Sequence, residues 1–396
     1  TIRIPRWLAL LGAATALAAC SDGSDTPDLL AQDAKVIAPP ALCDPLAPTY
    51  CGFPYPNDYW SVEDADSASG RRLALPPQIM PANTAGMRSQ TAAFNEMDGF
   101  SPGIAAMTHL PGATVNGLAT PDSIAASLAP DSPTVILNAA TGERVPHWVD
   151  LDEYVVQAKL RVDAGERRPD FDIARDIDAL RQEQALMLRP AIRLDDATRY
   201  IVAIRRVLDD NGNPLPPSPG FAALRDLQPS DDDVIRARRA HFEALFDTLG
   251  DNGVAREDLQ IAWDFTTASR ENNTGAMLHI RDDALARYPH GVPYSIELRN
   301  EGLIDGMACR LEVTFDMPLY MTQGETGGLL NLGADGMPVQ NGSYPYAAAL
   351  IVPMSAQTEA APLVAFGHGQ LGAKEQVLGM QPLAVTENLA LFGLDW

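Results

Sequence analysis

At 396 residues, with 46% hydrophobic residues and no low-complexity tract in the body, the chain is long enough for two or three packed domains. Its 29 basic residues against 52 acidic ones leave a net charge of −23, so phosphate backbones and anionic lipid surfaces repel the body and nucleic acid is excluded as a natural partner. The six histidines (109, 147, 241, 279, 290 and 368) are scattered and no C-x-x-C or H-E-x-x-H spacing occurs, so neither a metal nor a cofactor is expected.

The chain opens with Arg3 and Arg6, an apolar run from Trp7 to Leu17 that is too short to span a bilayer, and Leu17-Ala-Ala-Cys20, the layout of a secretory signal. This stretch resembles the lipobox of bacterial lipoproteins, whose cysteine is diacylated and becomes the new N-terminus. The resemblance implies residues 1–20 as a signal peptide, lipidation at Cys20 and a membrane anchor through acyl chains. Ser21 to Asp25 then form a polar tether. Ser21 is not the aspartate that resembles an inner-membrane retention signal, which favours the outer membrane or cell surface. After export, Cys43 and Cys51 stand where a disulfide can close a short loop around Pro45 and Pro48; two buried free thiols are the alternative. Cys309 reads as a buried core thiol.

Residues 21–125 are turn-rich, broken by Pro76, Pro77, Pro81, Pro102, Pro111 and Pro121, and can be ordered only by lying on something else. Residues 126–225 read as a β-sandwich module. Thr134 to Asn138 and Arg144 to Asp150 form a strand pair around Gly142, followed by strands at Leu186 to Arg189 and around Tyr200, Val202 and Ile204. Thr198-Arg-Tyr-Ile-Val202 and the turn Asp209-Asp-Asn-Gly-Asn213 are similar to the last strands of bacterial Ig-like modules. Residues 226–345 mix helix and strand. Ser230 caps a helix with Phe242, Leu245, Phe246 and Leu249 on one face, ended by Gly250; His241 sits on it as a rim residue. A half-buried strand follows through Leu259, Ile261, Trp263 and Phe265. From Leu311, short strands are separated by Gly-rich turns and lead into Ala347 to Val352.

The segment 346–396 carries the chemistry. An apolar strand, Pro362 to Phe366, runs into Gly367-His368-Gly369-Gln370-Leu371-Gly372 and then into a helical stretch from Glu375 to Leu391. Strand, glycine-flanked His-Gly turn and helix in this order resemble the oxyanion loop after the third strand of α/β hydrolases. Glycines at 367 and 369 let the main chain approach a substrate carbonyl, and the backbone N–H groups of Gln370 and Leu371 are the expected oxyanion donors. His368 braces the loop rather than acting as base, because the triad histidine comes last in chain order.

Together, Cys43/Cys51, Asp98-Gly-Phe-Ser-Pro102, Ala262 to Ser269 and Phe366-Gly-His-Gly369 resemble the large lipoproteins described as bacterial virulence-factor lipases. That resemblance implies a mainly β fold, an Ig-like sandwich region with interspersed helices, followed by the first βα elements of an α/β-hydrolase domain. It also implies a serine lipase or esterase acting on a lipid or ester. Thr1 stands where a methionine would, and Leu394-Asp395-Trp396 reads as the start of the fourth strand. The nucleophile, acid and histidine are therefore expected beyond Trp396, and residues from 362 onward are expected to be poorly packed and inactive by themselves. Gly99-Phe-Ser101-Pro-Gly103 satisfies G-x-S-x-G but is a decoy, since Pro102 lacks the N–H that an elbow donates. Asp64/Asp66 and Asp150/Asp152/Glu153 lack a complete calcium-loop pattern and read as solvated carboxylates. The reading from another class is a surface-anchored binding or adhesive lipoprotein built on Ig-like modules.

Overall fold

A computed structural model describes residues 43–83, 85–166 and 176–395; Cys20, its signal segment and its tether lie outside the described residues. Between Ser269 and Arg270 the chain divides into two units, a boundary inside the stretch 226–345. Among the described residues, strand and helix are nearly equal, about 26% and 27%, in seven α-helices and four sheets. This corrects the mainly β expectation, because long amphipathic and polar stretches between strands form helices.

In the first unit, strands β1 (Ser61–Glu63) and β2 (Arg71–Leu73) form a small hairpin. Helix α1 (Ala92–Asn95), β3 (Ala106–Thr108), β4 (Thr134–Asn138), β5 (His147–Leu151), α2 (Tyr154–Asp163), α3 (Ile177–Arg181), β6 (Leu186–Pro190) and β7 (Arg199–Arg205) follow. Helices α4 (Pro219–Arg225) and α5 (Asp233–Asp251) precede β8 (Leu259–Thr266). Two three-stranded antiparallel sheets result, β3-β6-β5 and β4-β7-β8. The expected strand pair at 134–150 is thus corrected. It begins as a hairpin, with Asn138 N–H donating to Glu143 O and Val145 N–H to Ile136 O. Pro146 has no N–H to continue the ladder, and β5 departs to pair with β6.

Helix α5 starts on Asp232, whose carboxylate accepts from Val234 N–H at 2.8 Å, rather than on Ser230. Ile235, Phe242, Leu245, Phe246 and Leu249 are its buried stripe. Strand β8 is buried along its whole length, not half-buried. Trp263 and Phe265 face one side, where Phe265 stacks on Tyr200 and Trp263 Nε1 donates to Pro56 O at 2.7 Å. Asp264 and Thr266 face the other, where α5 lies.

The turn-rich segment is ordered by this core. Cys43 and Cys51 are joined in a disulfide. Asp44 is buried and accepts from Arg238 Nη1 at 2.6 Å and Asn57 Nδ2 at 2.8 Å. Two of the sequence motifs meet: Asp98 Oδ1 accepts from Ser269 N–H at 2.9 Å, and Phe100 pairs with Thr267. Gly99 is glycine by necessity, for a Cβ there would stand 2.6 Å from Ala268 N.

The second unit holds α6 (Arg270–Arg287), β9 (Tyr294–Arg299), β10 (Met307–Pro318), β11 (Ser343–Pro353), β12 (Leu363–Gly367), α7 (Gln381–Glu387) and β13 (Ala390–Leu394). Its sheet runs β12-β13-β11-β10-β9, with β12 and β13 parallel and every other pair antiparallel. The 3₁₀ turn Lys374–Met380 and α7 cover one face over Met307, Ala349, Ile351, Val377, Ala384 and Leu391. The helical stretch therefore stops before Leu391: Asn388 takes a left-handed φ of 58°, and the strand expected to start at Leu394 is already complete there. Strands β12 and β13 are paired within the sheet, while β12 and the turn that follows it stay largely exposed. Cys309 is half-buried at the β10 bulge, not a buried core thiol.

On the opposite face the register aligns Tyr294, Ile296 and Leu298 with Phe315, Val313 and Leu311, then with Tyr346, Ala348 and Leu350, then with Leu394 and Phe392. Tyr294, Ile296 and Leu298 stay exposed, as does β12 at Leu363 and Val364.

Candidate functional site

The parallel pair β12/β13 fixes the His-Gly loop. Gly367, the last residue of β12, lies opposite Leu394, so the chain leaves the sheet there and turns over the strand ends toward Lys374. Three contacts shape the turn. Gly372 N–H donates to Gly369 O at 2.8 Å, Gly369 N–H donates to Gln376 Oε1 at 3.2 Å, and Lys374 N–H donates to Asp395 Oδ1 at 2.7 Å. Lys374 Nζ also reaches Asp395 Oδ2 at 3.2 Å. Asp395 is thereby clamped twice by one residue. Burial raises its pKa, but the Lys374 main-chain and side-chain donors outweigh this and hold it below the ordinary value. Gly393 beneath the clamp is packed so closely that a Cβ would meet Lys374 O at 2.7 Å.

Of the residues singled out in the sequence, His368 has a side chain only 7% exposed, its Nδ1 2.9 Å from Gly369 O and its Nε2 4.0 Å from Asp395. Leu371 is fully exposed with φ 60°, a left-handed conformation unusual for a leucine. Gln370 is exposed as well. Among the described residues, no acceptor meets the backbone N–H of Gln370 or Leu371. Two consecutive main-chain donors thus stand open at the end of a parallel strand, a geometry able to receive a developing negative charge. The Asp395–Lys374 clamp had no motif to announce it.

Ser101 lies elsewhere, in the first unit. Its Oγ accepts from Gly103 N–H at 3.3 Å, and Pro102 O accepts from Leu194 N–H at 2.9 Å. The imidazoles of His109 and His147 meet main-chain carbonyls, with Thr134 also on His147. Of the acidic groups considered for calcium, Asp64 pairs with Arg72 at 2.6 Å and Asp150 with Arg189 at 2.8 Å, while Glu153 accepts from Gln157 Nε2 at 2.7 Å. Among the described residues no cluster of three metal-ligating side chains occurs.

The first unit also contains a polar cluster that the sequence pattern did not disclose. Asp264 accepts from His241 Nε2 at 2.8 Å and Arg199 Nε at 2.6 Å. Asp58 accepts from Thr266 N–H at 3.0 Å and Thr266 Oγ1 at 2.7 Å, with Arg71 Nε 3.4 Å away. Asp58, Arg71, His241 and Asp264, with Tyr59, Val234, Ala237 and Arg238, line a space of about 360 Å³. Burial raises the pKa of Asp58, and Asp264 adds to the rise against Arg71 and Thr266. Burial also raises Asp264, yet His241 and Arg199 bring it below the ordinary value. Each carboxylate has its cation, so the cluster closes on itself as an ion network pinning the N-terminal segment and α5 to β8. His241 is the rim of that network.

Among the described residues no helix is long and apolar enough to cross a membrane. No family model, curated protein or solved structure matches the chain.

Proposed function

We propose that the second unit is the leading part of an α/β-hydrolase sheet and carries the oxyanion loop of an exported, lipid-anchored carboxylic ester hydrolase of lipase or esterase type. The observation that carries this reading is the pair of unclaimed N–H groups at Gln370 and Leu371, held at the C-terminal end of a parallel strand by the Asp395 clamp. The strand arrangement supports it. Counting β10, β11, β12 and β13 as first to fourth, the fourth lies between the second and third, and the second runs antiparallel to it, the order that a hydrolase sheet uses up to its oxyanion loop.

In that fold the strand bearing the nucleophile pairs along the outer edge of the third strand, which is here the exposed edge of β12. The described residues bring no serine, acid and base together around the loop, so the triad is assigned to none of them. An oxyanion loop acts on a carbonyl carbon under attack: its N–H groups gain strength as the carbonyl oxygen acquires charge, and each such donor contributes about 3 kcal/mol. The loop's exposure leaves room for an ester above it.

The reading of residues 126–225 as an Ig-like module is supported by two three-stranded antiparallel sheets, although β3 and β8 come from outside those bounds. A surface-anchored adhesive lipoprotein would account for those sheets and for Cys20, but it gives the open loop no task. The reading frame beyond Trp396 tests the proposal. A G-x-S-x-G between a strand and a helix within about 150 residues is expected, and a frame without one overturns it.

A further inference from the structure

Helix α5 buries Phe242, Leu245, Phe246 and Leu249. A second stripe of the same helix, Val234, Ala237, Arg238 and His241, borders the space of about 360 Å³ that it shares with Asp58, Arg71 and Asp264. Those four helix positions fall at i, i+3, i+4 and i+7 and so lie on one side. Three ion pairs meet around the space, Arg71 with Asp58, Arg199 with Asp264 and Arg238 with Asp44, so the charges bordering it are balanced.

The carboxylates of this network are satisfied, but its donors are not all used. Among the described residues, Arg71 gives Nε to Ser61 Oγ and Nη2 to the carbonyls of Asp58 and Ser61, with no acceptor at Nη1. Arg238 gives Nη1 to Asp44 at 2.6 Å and meets no acceptor at Nη2 or Nε. Its guanidinium carbon stands 4.9 Å from the ring centres of both Tyr59 and Phe242, which holds the group in place. His241 gives Nε2 to Asp264 at 2.8 Å, so Nδ1 is the nitrogen left over, and it holds a proton only when the ring is an imidazolium. Two held guanidinium groups and one protonatable nitrogen thus line a single cavity, together with the apolar side chains of Val234 and Ala237.

We propose that this cavity binds the carboxylate of a small organic acid, its oxygens accepting from Arg71 and Arg238, its carbon chain lying on Val234 and Ala237, and His241 taking a proton from solvent as the anion enters. Guanidinium edges match a planar carboxylate. Charge sets the rest. The cavity is balanced while the imidazole is neutral, so one negative charge is offset by the one proton that His241 can add. A second charge, as on a phosphate dianion, stands uncompensated beside the buried carboxylates of Asp58 and Asp264. The charged and titratable groups around His241 are Asp264 on β8, Arg199 on β7, Asp58, Tyr59 and Arg71 before and within β2, and Arg238 on α5. Asp232, near Tyr59, is held by the first-turn N–H groups of Val234 and Ile235. The site lies in the first unit and rests on nothing in the hydrolase reading.

The test is an NMR titration of residues 21–396, which include every described residue, made with labelled histidine and titrated with butyrate. One imidazole signal, the one missing from His241→Gln, is expected to move toward its protonated position. Affinity should fall about tenfold between about pH 7 and about pH 8, as uptake of one proton requires. His241→Gln keeps an amide for Asp264 but loses the protonatable nitrogen, so its affinity at neutral pH should be about tenfold weaker and no longer depend on pH. Val234→Asp adds a carboxylate to the cavity at a first-turn position that favours one, and should abolish binding. Near-ultraviolet circular dichroism checks the fold, and Val234→Asp carries the test should the glutamine variant lose its spectrum. Arg236→Gln, whose guanidinium is engaged by Asp233 and the Ser230 carbonyl, should bind as the parent does. An unmoved His241 signal, a parent affinity that ignores pH, undiminished binding in Val234→Asp, or inorganic phosphate bound more tightly than butyrate overturns the proposal. So does an equal loss in Arg236→Gln, which would reduce the effect to general attraction between charges.

Discussion

Asp395 accepts the Lys374 backbone N–H at 2.7 Å and its ammonium at 3.2 Å, so one carboxylate at the end of β13 fixes the far limb of the loop that begins at Gly367. Asp395→Ala should free that limb. A charge-assisted main-chain bond is worth about 1–2 kcal/mol, so amide exchange at Lys374 and Gly372 should accelerate about tenfold, read by hydrogen exchange. The amides of β11, bonded within the sheet, should not respond. Unchanged exchange at Lys374 would show that Asp395 does not hold the loop.

In the first unit, Asp264 joins β8 to α5 through His241 and to β7 through Arg199. Removing Asp264 takes the shared acceptor from Arg199 and His241, whose side chains are 37% and 45% exposed, at a cost of about 2 kcal/mol. Asp264→Ala should therefore lower the denaturation midpoint strongly, while His241→Ala, at a half-exposed side chain, should cost only about 1 kcal/mol. Since the folded pKa of Asp264 lies below its ordinary 3.8, its contribution is complete above about pH 4 and is lost as pH falls through the folded value. Equal losses in the two variants, followed by tryptophan fluorescence in denaturant, would contradict this ranking.

His147 gives a second pH dependence, at higher pH. Burial, partly offset by the Val145 carbonyl, lowers its pKa from 6.5 to about 4, so the folded form keeps it neutral where the unfolded chain protonates. Stability should thus fall by about 3 kcal/mol as pH drops from 6.5 to about 4, with a slope of about one proton. His147→Gln should flatten that slope. An identical slope in the variant would place the proton uptake elsewhere.

Much of this arrangement was legible in the sequence, and the parts that were not have physical causes. The stripe of α5, the strands at 134–138, 199–205 and 259–266, and the β12–turn–helix order follow from local periodicity and glycine placement. Which strands share a sheet does not, because pairing is decided by partners far along the chain: β4 and β5 are neighbours in sequence yet lie in different sheets. Helix α6 escaped notice because it has no buried residues and hence no apolar stripe. No sequence pattern singles out Asp58 and Asp264, because Arg71, Arg199 and His241 are brought to them only by the fold. The turn at Gln370 and Leu371 follows from the spacing of Gly369 and Gly372, whereas the clamp on its far limb, Asp395, depends on β13 returning beside β12.

If Cys20 is the acylated residue, the chain made in a lipoprotein-processing host should partition into detergent, and Cys20→Ser should appear in the aqueous phase. A mutant that partitions as the parent does would remove the lipobox reading.

The last expectation is that residues 21–396 do not hydrolyse esters, although they contain both a G-x-S-x-G string and an open loop of donors. A serine hydroxyl is a weak nucleophile until a base takes its proton. The Oγ of Ser101 has only the Gly103 N–H as partner among the described residues, and that bond makes the oxygen an acceptor, drawing density away from it. The residue after it is Pro102, whose ring nitrogen cannot donate to an oxyanion. Phe100 and the backbone of 266–268 hold this turn as part of the first unit, while the donors of Gln370 and Leu371 belong to the second. Donors without a nucleophile aligned on the same carbonyl lower no barrier, because the charge they would stabilise never develops. Purified protein on a short p-nitrophenyl ester should give the rate of buffer alone, before and after Ser101→Ala. Turnover abolished by Ser101→Ala would make that serine the nucleophile and move the active site out of the His-Gly loop.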